Sequence, residues 1–80
     1  MENIEERIHM MLKDIQPDFG FEEGANFVEN GYLDSFDVIT LVSDLEDTFG
    51  IAISALEIVP ENFTSIAAIA KLVKRSSKRG

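Results

Sequence analysis

The chain has 80 residues, 45% of them hydrophobic, with no cysteine, one histidine and a formal net charge of −8. That describes one small folded domain and excludes disulfides, thiolate metal sites and multi-histidine metal sites. The acidity argues against nucleic acid or anionic lipid as partner, no apolar run nears the ~18 residues of a membrane span, and the acidic N-terminus does not read as a signal peptide. The expectation is a soluble, cytoplasmic, monomeric protein that inserts into no membrane.

In chain order, Ile4, Ile8, Met11, Leu12 and Ile15 recur at helical spacing and predict a first helix from Asn3 to Gln16. Asn3 serves as its N-cap and Pro17 ends it. His9 falls outside the apolar stripe and reads as a surface histidine. Residues 17–34 form a long loop punctuated by Pro17, Gly20, Gly24 and Gly31. A loop that long must pack by its own side chains, and Phe19, Phe21 and Phe27 are its expected anchors.

The second helix starts at Asp34-Ser35 and ends at Phe49, with Gly50 just beyond. Val38, Leu41, Val42, Leu45 and Phe49 form its buried stripe. At ~100° per residue, Asp37, Thr40, Asp44 and Asp47 are expected on the opposite side, bordered by exposed Phe36, Ile39 and Ser43. Ile51-Ala52-Ile53 is an extended link. Ser54 with Glu57 reads as the capping box of a short third helix that stops before Pro60. Thr64 or Ser65 caps the last helix, whose apolar stripe is Ile66, Ile69, Ala70 and Val73, with Leu72 beside it. No strand pattern competes. The fold class is all-α, a small bundle of three main helices and one short one. The domain is placed at residues 1–75, and the basic tail 76–80 is expected to fray.

Charge is uneven along the chain. Twelve acids and no lysine or arginine lie between Asp14 and Ala70, and five of the seven bases fall in the last ten residues. Either this is a solvated surface, or it is an acidic surface for basic partners.

Chemistry of the chain's own looks unsupported, so no enzyme is expected. A serine nucleophile needs a base within reach, and the only histidine lies on another helix. No phosphate-binding glycine loop is present. An EF-hand loop begun at Asp14 would put Phe19 where glycine belongs and Ala25 where the bidentate glutamate belongs; one begun at Asp34 would put Phe36 at a ligand position. No metal site is expected. What remains is Ser35. It can be an ordinary residue of a helix start, but the first turn of a helix also welcomes a phosphate.

The stretch Phe27-Val28-Glu29-Asn30-Gly31-Tyr32-Leu33-Asp34-Ser35-Phe36-Asp37 resembles the attachment motif of acyl carrier proteins. Leu41 to Ile51 is similar to that family's second helix and its exit, and Pro60 to Ile66 to the entry of its last helix. The resemblance covers roughly residues 3–75. It implies that 4′-phosphopantetheine from coenzyme A is attached to Ser35, beside Asp34, and carries acyl groups as thioesters on its thiol. It implies a phosphopantetheinyl transferase (holo-acyl carrier protein synthase) as partner, and acyl ligases, synthases or transferases with basic docking patches. Their expected contacts are Phe36, Asp37, Ile39, Thr40, Ser43, Asp44, Glu46 and Asp47. It further implies an interior, built by Phe27, Val38, Leu41, Leu45, Phe49, Phe63 and Ile69, that can open around an acyl chain; a plain core would use the same residues. Leu33, Phe36, Thr40 and Ser43 depart from the fatty-acid carrier pattern. The resemblance is therefore to a specialised rather than a clearly housekeeping fatty-acid type, the implied pathways being fatty-acid, lipid or specialised metabolite synthesis, with a D-alanine-type aminoacyl carrier as one alternative. A cofactor-free acidic adaptor is the other.

Overall fold

Asn3 opens the first helix, its side-chain oxygen accepting the Glu6 N–H at 2.7 Å. In the computed structural model, which describes residues 3–78, α1 spans Ile4–Ile15. Ile8 and Leu12 are buried, and Ile4, Met11 and Ile15 pack against the core. Gln16 caps the C-terminus by donating its N–H to the Leu12 carbonyl, and Pro17 stops the helix there. Helix α2, Ser35–Phe49, ends at Gly50, whose φ of 64° is the left-handed turn glycine adopts without steric cost. Helix α3, Ile66–Arg75, is capped by Ser65 rather than Thr64: the Ser65 hydroxyl accepts the Ala68 N–H at 3.0 Å. Helix α1 packs on both α2 and α3. Every buried side chain among the described residues is hydrophobic.

The loop before α2 is a folded unit. Phe21 and Phe27 are buried and meet edge to face at 5.0 Å, while half-buried Phe19 stacks on Tyr32 at 4.6 Å. Phe21 also meets Tyr32 edge-on at 5.8 Å. Tyr32, not singled out among the expected anchors, thus joins the two ends of the loop. Phe21 has φ of 52°, a conformation that costs a side chain about 1–2 kcal/mol. Burial of its ring, worth about 1.5–3 kcal/mol, offsets that strain. The backbone adds further ties. Phe27 donates to the Thr64 carbonyl at 2.9 Å, and its own carbonyl accepts from Tyr32 at 2.8 Å and Leu33 at 3.1 Å. From α1, Lys13 donates to the carbonyls of Pro17 and Phe19, and His9 Nε2 meets the Gly20 carbonyl at 2.8 Å. The surface histidine is therefore a loop tie.

Three expectations change after α2. The short third helix is two 3₁₀ turns, Ala55–Glu57 and Pro60–Phe63. Ser54 caps the first by accepting the Leu56 N–H at 3.2 Å, but Glu57 does not reciprocate, because its carboxylate pairs with Arg75. The chain is also not purely helical: β1, Ile51–Ala52, pairs antiparallel with β2, Ser77–Lys78. Ser77 and Lys78, from the tail, thus stand in a two-residue pairing. The Ser76 hydroxyl and N–H both donate to the Leu72 carbonyl, and the chain then turns extended onto β1. Arg79 and Gly80 lie outside the described residues. The architecture remains a three-helix bundle, with this two-residue bridge added beside the exit of α2.

Candidate functional site

Ser35 is exposed as the first residue of α2. Its position is set by a reciprocal capping box. The Asp34 carboxylate accepts the Asp37 N–H at 2.9 Å, and the Asp37 carboxylate accepts the Asp34 N–H at 3.2 Å. The same Asp37 oxygen accepts Gln16 Nε2 at 2.9 Å, tying the end of α1 to the start of α2. The two remaining first-turn amides, those of Ser35 and Phe36, have no partner among the described residues. The positive end of the helix dipole is therefore presented beside the Ser35 hydroxyl, which suits a phosphodiester there.

The turn preceding Ser35 has a local cause. Asn26 caps it, its side-chain oxygen accepting the N–H groups of Val28 and Glu29. Gly31, at φ of 76°, reverses the chain. Leu33 is then driven inward, where it is buried. Next to Ser35 lies a groove of about 430 Å³, lined by Asp34, Ser35, Ile39 and apolar Val28, Leu33, Val38, Ile58, Val59, Pro60 and Phe63. Of these, Phe63 and Val38 were expected in the interior. Ile58 and Val59 were missed, because the residues after Ser54 carry no helical periodicity to show which way they face.

The expected partner contacts divide. Phe36 and Ile39 are 81% and 63% exposed, and Thr40, Ser43 and Asp47 are exposed with them. Asp37, Asp44 and Glu46 are half-buried. Asp37 belongs to the capping box, and a Glu46 oxygen accepts the Ile53 N–H at 2.9 Å. Asp37 and Asp44 therefore do not lie opposite the apolar stripe. They sit only about 40–60° from Leu41 around the helix, which pulls them toward the core edge. The exposed arc of α2 is more apolar and less acidic than its composition suggested. Leu56, 88% exposed, adds another apolar side chain on the segment that walls the groove.

Among the described residues, no cluster of three or more His, Asp or Glu side chains could hold a metal ion, and no helix is long and apolar enough to cross a membrane. The structure thus sets an exposed serine at a capped helix start, beside an apolar groove. The family model described as "Phosphopantetheine attachment site" matches residues 7–73. The chain belongs to that family, whose domains are sites of covalent 4′-phosphopantetheine attachment. It is thus a phosphopantetheine-bearing carrier protein, served by a phosphopantetheinyl transferase and by other enzymes. The cofactor-free adaptor reading is set aside by that membership. Comparison with the curated proteins and with the solved structures found no match.

Proposed function

We propose that this protein is an acyl carrier whose arm is attached to Ser35. A transferase joins the Ser35 hydroxyl oxygen to the pantetheine phosphorus of coenzyme A. The pyrophosphate P–O bond breaks, the nucleotide half leaves, and the hydroxyl proton passes to solvent. The arm, once bound, supplies the thiol that holds an acyl group as a thioester. The chain's own residues orient it: Asp34 and Asp37 hold the first turn, and the first-turn amides favour the phosphate.

The observation that carries this reading is the apolar groove that begins at Ser35 itself. Its lining favours a hydrocarbon chain over a charged aminoacyl group. Partners approach over the exposed arc of α2, with Phe36 and Ile39 as apolar contacts and Asp44 and Asp47 attracting basic patches. The protein serves as substrate of those enzymes rather than as catalyst, in soluble synthesis of fatty acids, lipids or specialised metabolites.

The test is intact mass after incubation with a broad-specificity transferase and coenzyme A. One phosphopantetheinyl adduct is expected, placed on Ser35 by tandem mass spectrometry and abolished in Ser35→Ala. That variant keeps its fold, since the capping box does not use the Ser35 side chain. An adduct on any other serine would overturn the assignment.

A further inference from the structure

The outer wall of the groove is held in an unusual way. From Ser54 to Asn62 no side chain is buried, yet Ile58, Val59 and Pro60 from this stretch line the groove beside Ser35. With only partial burial, at Glu57, Val59 and Asn62, the segment leans on polar ties. Its strongest is Arg75, at the end of α3, whose Nη2 and Nε both reach Glu57 Oε2, at 2.6 and 2.7 Å. The Glu57 carbonyl in turn accepts Asn62 Nδ2 at 2.7 Å. Glu57 therefore fastens the first 3₁₀ turn to α3 through its side chain and to the second turn through its backbone. Ile58 and Val59 lie in the span between those two ties. Arg75 is itself steadied by the chain that follows it, which pairs onto β1.

We propose that Arg75, acting through Glu57 and Asn62, is a positioning residue that sets the groove wall and so governs how a chain on Ser35 is sheltered. This rests on the acyl-carrier reading above. Side chains of both partners are substantially exposed, 46% for Arg75 and 39% for Glu57. Such a pair is weak and is screened by salt. The latch consequently opens at small cost, letting the wall of Ile58 and Val59 swing without disturbing the core.

The test has two arms, on Arg75→Gln, Glu57→Gln and the exchange Glu57→Arg with Arg75→Glu. In the protein before attachment, amide hydrogen exchange is followed at Ile58, Val59 and Asn62. Either single variant should speed it about two- to fivefold, leaving the Ile8 and Leu45 amides unchanged, and the exchange variant should restore it. In the loaded protein, hydroxylamine cleavage of acetyl and octanoyl thioesters is compared. The single variants should speed octanoyl cleavage by a similar factor and leave acetyl cleavage unchanged. Unchanged exchange at the three amides in both single variants would overturn the latch. Faster exchange with unaltered octanoyl cleavage would overturn its control of the groove. Failure of the wild-type chain to take up the arm at Ser35 would instead remove the carrier reading, and is seen separately by mass.

Discussion

The two long connections of this bundle solve the same problem in opposite ways. Residues 17–34 and 51–65 each link helices without a regular α-helix of their own. The first buries Phe21, Phe27 and Leu33, joins four aromatic rings and is tied to α1 by Lys13 and His9. The second buries only Ile51, Ile53 and Phe63, near its ends, and exposes Leu56 almost fully. Ser35 stands where the rigid connection delivers the chain to α2, and the loosely held one supplies the facing wall. On the proposed reading, with the arm at Ser35 and its cargo in the groove, a carrier needs both. The attachment point must be presented in one geometry, whereas the surface beside it must accommodate cargo and then release it.

The largest test of this contrast is a pair of truncations. Phe27→Ala removes a ring with 1% exposure that meets Phe21 edge to face. It should cost about 3–5 kcal/mol, most of the stability of a domain this small. Leu56→Ala should change stability by less than ~0.5 kcal/mol. Urea unfolding followed by circular dichroism measures both. Similar losses for the two variants would mean that the connections do not differ in rigidity.

Next in size is the joint between the rigid loop and α2. Asp34→Ala removes the acceptor for the Asp37 N–H and should cost about 0.5–2 kcal/mol by the same assay. It should also slow loading of Ser35, because the first turn frays. A variant with full stability and full loading rate would show that the capping box does not position the site.

The exposed arc gives a smaller, kinetic effect. Asp47→Lys and Asp44→Lys should slow transferase loading several-fold at low salt, and added salt should shrink the difference. Phe36→Ala should slow loading with less dependence on salt, since its contact is apolar. The half-buried position of Asp44 predicts the weaker of the two reversals. Loading rates that ignore salt and both reversals would remove electrostatic steering from the account.

The smallest effect is on melting. Twelve acids between Asp14 and Ala70 without an intervening base repel one another by a few tenths of a kcal/mol per neighbouring pair. Moderate sodium chloride should therefore raise the melting temperature by about 2–4 °C. Magnesium at matched ionic strength should add slightly more through loose carboxylate contacts. The Arg75–Glu57 pair loses strength under the same conditions, so the wall segment should exchange faster even as the bundle melts later. A melting temperature that falls with salt would show that repulsion does not limit the fold.

The amino-acid sequence alone determined the three helices, because their apolar stripes and caps are local: Asn3, Asp34, Ser65 and Gly50 act within a turn of where they stand. It also singled out Ser35 as the proposed attachment point, through the helix start and the motif around it. Tertiary structure decided what was not local. It assigned Asp37, which helical periodicity had placed opposite the apolar stripe, to Gln16, and Glu46, an expected partner contact, to Ile53. It turned Glu57 from a capping partner of Ser54 into the partner of Arg75, and paired Ser77 and Lys78 with β1. It placed Ile58 and Val59 beside Ser35. A pattern at fixed spacing reports which way a residue faces on its own helix. Pairings across eighteen or more positions, such as Glu57 with Arg75 or Gln16 with Asp37, arise only when the helices have packed and brought those side chains within reach.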